Sequence, residues 1–327
     1  MGMLINGKWE KEPLIKTNKK GEFIRQESVF DNTINDKDNK HPAEANRYHL
    51  YISYACPWAC RVLIMLKLKG LDKIISYSCV NYLSSNNGWE FSKDKKDKKN
   101  KYADPVSNKK YLRDLYILSD STYTGRVTVP VLWDKKTKTI VNNESAELMR
   151  ILNTEFDEIN KKNKKHKNDY YPVKHRKEID KTNDFVYENI NNGVYKCGFA
   201  TSQQAYDQAC DILFKSLDKI EKILSKKRYL IGDIITEADW RLFTTLVRFD
   251  CVYVTHFKCN KKLLRDYHNI SNYLRELYQI PGISKTIDID EIKKIYYLSM
   301  KHLNPNGIIP KGFDFDFKAQ HDRYKIK

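Results

Sequence analysis

At Cys56-Pro57 an apolar run of strand character, Tyr48 to Ser53, gives way to an apolar helix running from Pro57 to about Gly70, and a second strand follows from Ile74 to Val80. Strand, helix and strand in such close succession predict an α/β unit. The junction also places a thiol. Proline suits the first helical position, because its φ is preset and the amide hydrogen it lacks would have no helical partner there. The residue before it faces the free N–H groups and the positive end of the helix dipole. Such surroundings lower a cysteine pKa from about 8.5 towards 7 or below, leaving a useful fraction as thiolate at neutral pH. Cysteine also serves widely as a small buried hydrophobe; the strand–Cys–Pro–helix setting is what favours Cys56 as a nucleophile.

The α/β pattern continues beyond Val80. Asn81 to Arg126 reads as a long insertion with one helix around Tyr111 to Leu118. Two short apolar runs, Thr128 to Trp133 and Thr139 to Val141, flank Asp134 to Lys138 as a hairpin would. Helical spacing resumes over Glu144 to Phe156. Beyond the lysine-rich stretch Lys161 to Asp169 everything reads as helix. In Gln204 to Ser225, the residues Ala205, Ala209, Ile212, Leu213, Ile220, Ile223 and Leu224 are expected on one face. Thr236-Glu237-Ala238-Asp239 is a capping box opening a buried helix through about Val254. Further helices fit Ile270 to Tyr278 and Ile289 to Met300. The expected organisation is an N-terminal arm over 1–46, an α/β domain over 47–157, a linker over 158–170 and an all-helical domain over 171–327.

Length and composition agree with two domains, since 327 residues exceed one typical core. Seven cysteines at irregular spacing make no disulfide framework, and neither Cys56/Cys60 nor Cys251/Cys259 has a second pair at zinc-finger spacing. No metal site is expected. No apolar run approaches the about 20 residues that cross a bilayer, and Met1 to Lys20 lacks a signal-peptide core. The sequence predicts a cytoplasmic protein with reduced cysteines and no membrane partner. The net charge of +17 invites nucleic acid. Its distribution argues otherwise: lysines crowd into Lys93 to Lys101 and Lys161 to Lys167, without apolar periodicity, as in solvated loops.

A thiolate must also hold its substrate. Val129-Pro130 lies between a turn and a strand, where proline cannot donate to a ladder. It is expected at a strand start or edge. A cis bond there would turn the Val129 backbone towards an extended, peptide-like ligand. Asn143-Glu144-Ser145 opens a helix. Glu144 can simply cap it, or it can receive an ammonium while Ser145 and the free amides hold a carboxylate. Gly88-Trp89 and Gly125-Arg126 lie on segments joining the α/β elements, where binding groups concentrate. Cys60 follows Cys56 by four residues, one turn along the same face. No histidine cluster and no hydrolase triad is evident.

Taken in order, these segments resemble the Xi class of glutathione transferases, the glutathionyl-hydroquinone reductases, from about Phe23 to Lys311. The carriers are Tyr51-Ile52-Ser53 with Ala55-Cys56-Pro57-Trp58-Ala59, then Gly88-Trp89, Gly125 to Asp134 and Asn143 to Glu147. Asn191 to Tyr195, Gly198-Phe199-Ala200, Thr236 to Asp239, His256 to Asn260, Tyr296-Tyr297 and Asn304-Pro305 complete the series. The resemblance implies a thioredoxin-like N-terminal domain carrying glutathione and an all-α C-terminal domain with the second-substrate pocket. It implies Cys56 as nucleophile, with Trp89, Arg126, the Val129 backbone, Glu144 and Ser145 holding glutathione. Tyr195 and the Tyr296-Tyr297 pair would line the aromatic pocket, with Tyr253 a lesser candidate. Glutathione is then the cosubstrate, aromatic glutathione conjugates the partners, and a homodimer the assembly. The chain departs from the family at Cys60, where His is usual, at Cys251 (Pro) and at Asp31 (Arg). Cys60 so close to the nucleophile raises a protective or inhibitory disulfide as an alternative role.

The implied reaction removes glutathione from S-glutathionyl-hydroquinones through a Cys56–glutathione mixed disulfide. A rival is an Omega-like dehydroascorbate reductase or thioltransferase using the same cysteine. A non-catalytic interaction module of the same fold would instead predict a lost or sealed thiol.

Overall fold

The computed structural model describes residues 2–11, 16–24, 28–81, 87–92, 101–312 and 315–326. The lysine run at 93–100 therefore lies outside the described residues. The chain divides into two units, one of Met1–Leu14 with Gln26–Asn168, the other of Ile15–Arg25 with Asp169–Lys327. Four short strands open it: β1 (Met3–Ile5), β2 (Lys8–Glu10), β3 (Lys16–Thr17) and β4 (Phe23–Ile24). The first pair belongs to the first unit and the β3–β4 hairpin to the second.

The first unit is built on β5 (Tyr48–Ile52), α1 (Pro57–Leu68), β6 (Ser76–Cys79), α2 (Leu112–Ser119), β7 (Gly125–Arg126), β8 (Val131–Asp134), β9 (Thr139–Asn142) and α3 (Ser145–Thr154). Its four-stranded sheet runs β6-β5-β8-β9. Only β5 and β6 are parallel, joined through α1, while β8 and β9 form the predicted hairpin. Every residue of β5 is buried, as befits a central strand covered on both faces. α1 buries ten of its twelve residues and packs beside α3. It stops at Gly70, whose φ of +64° a side chain would resist. A Cβ at Gly70 would also fall 2.0 Å from the Asn163 amide nitrogen, so the helix end and residues 160–163 are fitted to each other.

The N-terminal arm has more structure than its weak patterning suggests. β1 is the middle strand of a second sheet, β2-β1-β7, and pairs Met3 with Arg126. Residues 30–32 run beside β9, where the Asn143 amide donates to the Phe30 carbonyl at 3.0 Å. Both pairings join segments about a hundred residues apart, which local periodicity does not register.

The second unit carries α4 (Arg176–Val186), α5 (Gly193–Phe199), α6 (Gln203–Leu224), α7 (Glu237–Arg248), α8 (Val254–His256), α9 (His268–Gln279) and α10 (Ile289–Ser299). α6 buries Ala209, Leu213, Leu217, Ile220 and Leu224. Ile212, expected on that face, is 50% exposed, because the stripe is centred on Leu213 and Leu217 and leaves it about 100° to the side. All twelve residues of α7 are buried. Its capping box forms as the sequence predicts, and Asp239 accepts in addition from the Leu230 amide (3.0 Å) and the Tyr273 hydroxyl (2.9 Å). Replacing Thr236 with alanine is expected to lower stability by about 1 kcal/mol. Thr236→Ser should be nearly neutral, and urea midpoints of the two variants would check both.

The long helix expected through Val254 instead widens into a π turn at Phe249–Tyr253 before α8. Such a turn leaves carbonyls without their usual helical partners. The Tyr297 hydroxyl lies 3.3 Å from the carbonyl of Cys251 and 3.5 Å from that of Val252.

Candidate active site

Cys56 is the N-cap of α1, in extended conformation with φ −74° and ψ 116°, and Pro57 opens the helix after it. The chain therefore turns at the thiol from strand into helix, as the sequence requires. Of the seven cysteines, all among the described residues, Cys56 is half-buried and the other six are buried. Burial pushes the Cys251 thiol up to about 12, which leaves it protonated and unreactive at neutral pH. Cys60 is 1% exposed and sits one turn further into the helix.

Opposite Cys56 stands the Val129-Pro130 bond, which is cis and immediately precedes β8. The Val129 carbonyl accepts from the Cys56 Sγ at 3.4 Å. The loop carrying it is pinned by Tyr116, which is completely buried. Its hydroxyl donates to the Thr128 carbonyl at 2.8 Å, accepts from the Thr128 amide at 3.2 Å and accepts from Asn143 Nδ2 at 3.1 Å. One phenol thus holds the 125–130 loop against the turn that leads into α3.

That turn presents Glu144 as the N-cap of α3 and Ser145 as its first residue. The capping reading holds, and it leaves the side chain accessible. Glu144 Oε1 accepts from the Ala146 amide at 3.0 Å, yet the side chain is 39% exposed and open to a ligand. Ser28 Oγ donates to its other oxygen at 3.1 Å. Ser145 is buried and accepts at Oγ from Arg61 of α1, 3.1 Å from Nε and 2.7 Å from Nη2. Trp89 and Arg126 are half-buried on flanking segments. The Trp89 carbonyl accepts from Leu112 at 3.0 Å, and Arg126 is held by β1 and by the Tyr123 hydroxyl on its carbonyl.

The structure thus brings Cys56 to Val129, and through α1 ties it to Glu144 and Ser145. Sequence reasoning passed over Arg61, Tyr116 and Ser28. Arg61 left a trace, being a charge in the otherwise apolar stretch Cys60 to Leu66. Tyr116 and Ser28 left none, since their partners are remote in the chain.

In the helical unit, Tyr195 of α5 and Tyr296 of α10 meet hydroxyl to hydroxyl at 2.7 Å, and Tyr253 of the π turn joins Tyr296 at 3.2 Å. Phe199, His256 and Phe257 pack around them. Burial raises Tyr253 and Tyr296 well above the usual phenol range, so both remain neutral hydrogen-bond donors at any working pH. Of the Tyr296-Tyr297 pair, Tyr296 enters this cluster. Tyr297 turns its hydroxyl to backbone carbonyls instead.

A small mixed sheet with a cysteine starting its first helix and a cis-proline facing it, together with a predominantly helical second unit, is the arrangement of a glutathione transferase. The glutathione S-transferase N-terminal domain model matches residues 55–155, and the C-terminal domain model residues 203–276. Over 330 residues the chain is 48% identical to the glutathionyl-hydroquinone reductase YqjG of Escherichia coli K12, covering 99% of this chain and 98% of that protein. A Xi-class glutathione transferase structure from Natrialba magadii superposes with a TM-score of 0.91 at 45% identity, covering 99% of this chain and 98% of that one. The glutathione-bound structure of YqjG superposes with a TM-score of 0.88 at 46% identity, covering 99% of each chain. The chain belongs to the Xi class of glutathione transferases, the family of the glutathionyl-hydroquinone reductases. No helix among the described residues is long and apolar enough to cross a membrane.

Proposed function

We propose that this protein is a glutathione-dependent reductase that removes glutathione from S-glutathionyl-hydroquinones. The Cys56 thiolate attacks the thioether sulfur, an S–S bond forms, and the S–C(aryl) electron pair leaves with the ring. A proton reaches the ring carbon, giving hydroquinone. The thiolate of a second glutathione then attacks the Cys56–glutathione disulfide, releasing glutathione disulfide and restoring Cys56. The cycle needs one cysteine and no metal, so Cys60 takes no step in it. Glutathione lies along the Val129 backbone, with its γ-glutamyl end at Glu144 and Ser145 and with Trp89 and Arg126 as further contacts. Tyr195 and Tyr296 bond the ring hydroxyls and supply the proton, and Tyr297, whose hydroxyl faces the Cys251 and Val252 carbonyls, takes no step. In keeping with the family resemblance, the protein acts as a cytoplasmic homodimer on aromatic conjugates of glutathione.

The supporting observation is the half-buried thiol at the start of α1, 3.4 Å from the Val129 carbonyl. A non-catalytic module would have no use for it. The chain of hydrogen-bonded phenols favours ring substrates over dehydroascorbate. Turnover of glutathionyl-menadione should therefore exceed that of dehydroascorbate and of hydroxyethyl disulfide. Tyr296→Phe should lower the quinone rate by about a hundredfold while sparing the disulfide rate, whereas Tyr297→Phe should change neither greatly. Preferred turnover of dehydroascorbate, untouched by Tyr296→Phe, would move the protein to the Omega-like class.

A further inference from the structure

Arg61 has no part in the mechanism above, yet it is a buried cation within the candidate site. Its side chain is 2% exposed, its guanidinium carbon lies 4.8 Å from the centre of the Trp58 ring, and Nη2 is 3.7 Å from Glu144 Oε1. Burying an arginine on an otherwise apolar helix face costs desolvation that only well-formed polar contacts offset. Two of its contacts go to Ser145, where two guanidinium N–H groups converge on one hydroxyl oxygen.

A serine hydroxyl has two acceptor positions and one donor hydrogen. With both acceptor positions filled by Arg61, the hydroxyl can only donate. Within the chain its hydrogen meets Glu144 Oε1 at 3.5 Å, a long contact that a better acceptor would displace. A ligand carboxylate is such an acceptor, and the guanidinium behind Ser145 favours its charge. The exposed Glu144 carboxylate alongside is suited to an ammonium.

We propose that Arg61 is a positioning residue that fixes Ser145 as a hydrogen-bond donor, so that residues 144–145 select ligands ending in a free α-amino acid, carboxylate on Ser145 and ammonium on Glu144. Being buried, Arg61 acts through Ser145 and does not touch the ligand. The inference rests on the reading of 144–145 as the γ-glutamyl end of the glutathione site. It adds how that end is selected and which residue sets the selection.

The test uses the full chain and ligands that cannot react. Protection of Cys56 from iodoacetamide is titrated with S-methylglutathione and with S-methylcysteinylglycine, which lacks the γ-glutamyl group. In the unaltered protein S-methylglutathione should protect at a concentration at least tenfold lower. In Arg61→Met its half-protecting concentration should rise about tenfold, while that of S-methylcysteinylglycine stays within twofold. Arg61→Lys, which keeps the charge but not the paired donors, should fall between, and it reads the effect even if Arg61→Met fails to fold. Ser145→Ala combined with Arg61→Lys should be no worse than Ser145→Ala alone. Equal weakening of both ligands, or additive losses in the double variant, would show a merely structural arginine and overturn the proposal. Equal protection by both ligands in the unaltered protein would instead overturn the γ-glutamyl reading on which it stands.

Discussion

Cys56→Ala is expected to abolish turnover of every glutathione conjugate and disulfide substrate, a loss of about 10⁴-fold or more, because the mixed disulfide proposed above would be left with only buried cysteines on which to form. Cys60→Ala should retain most activity. The Cys60 thiol is buried within α1, whereas Cys56 is half-buried at the start of the helix and beside Val129. Steady-state assays of both variants, with mass spectrometry for the glutathione adduct, separate the roles. An adduct on Cys60, or substantial turnover in Cys56→Ala, would refute the one-cysteine cycle. Loss of activity in Cys60→Ala together with a Cys56–Cys60 disulfide in the unaltered protein would point to a two-thiol mechanism.

The second large effect concerns stability. Asp134, at the far end of β8 from Pro130, is buried among Arg47, His41 and the amide of Lys136. Arg47 Nε lies 3.0 Å from both of its oxygens, and His41 Nδ1 lies 3.0 Å from Oδ2. Burial alone would raise the carboxyl, but hydrogen bonds from Arg47 and His41 outweigh it and hold the group at about 2, against an ordinary 3.8. Asp134→Ala removes the buried partner of Arg47, leaving it the Lys40 carbonyl and the exposed Glu44, and should cost about 3 kcal/mol. The pH dependence has a definite sign. A carboxyl depressed in the folded state stabilises fully above its unfolded value and loses that contribution as pH falls through the folded value. For Asp134 the contribution is roughly 2 kcal/mol, intact above about pH 4 and lost towards pH 2. Urea unfolding from pH 7 to 2.5 should show an acid limb that is shallower in Asp134→Ala. An unchanged limb would mean that this ion group adds nothing.

What could be read from the sequence was what is local. The strand–Cys56–Pro57–helix junction fixed both the α/β unit and the position of the thiol, because the proline, the cysteine and the apolar period lie within one short stretch. The capping box at Thr236 was legible for the same reason, as its two partners stand three residues apart. The β8–β9 hairpin showed in its two apolar runs. What escaped depends on contacts distant in sequence. β1 finds its register on Gly125–Arg126, Tyr116 reaches Thr128 and Asn143, and Arg61 reaches Ser145 across more than eighty residues. The π turn escaped for a different reason: Phe249 to Tyr253 keeps an apolar, helical composition, and only the carbonyls that Tyr297 reaches reveal the extra residue. Ile212 shows the limit of reading a face by eye, since one position of drift in a long helix moves a side chain into solvent.

The pairing of Met3 with Arg126 has a practical consequence at the bench. Proteolytic trimming of the first ten residues would remove the strand that pairs with Arg126 altogether. Given the role proposed for Arg126 in holding glutathione, trimmed material should bind glutathione less well than the full chain, although Cys56 and its helix would be untouched.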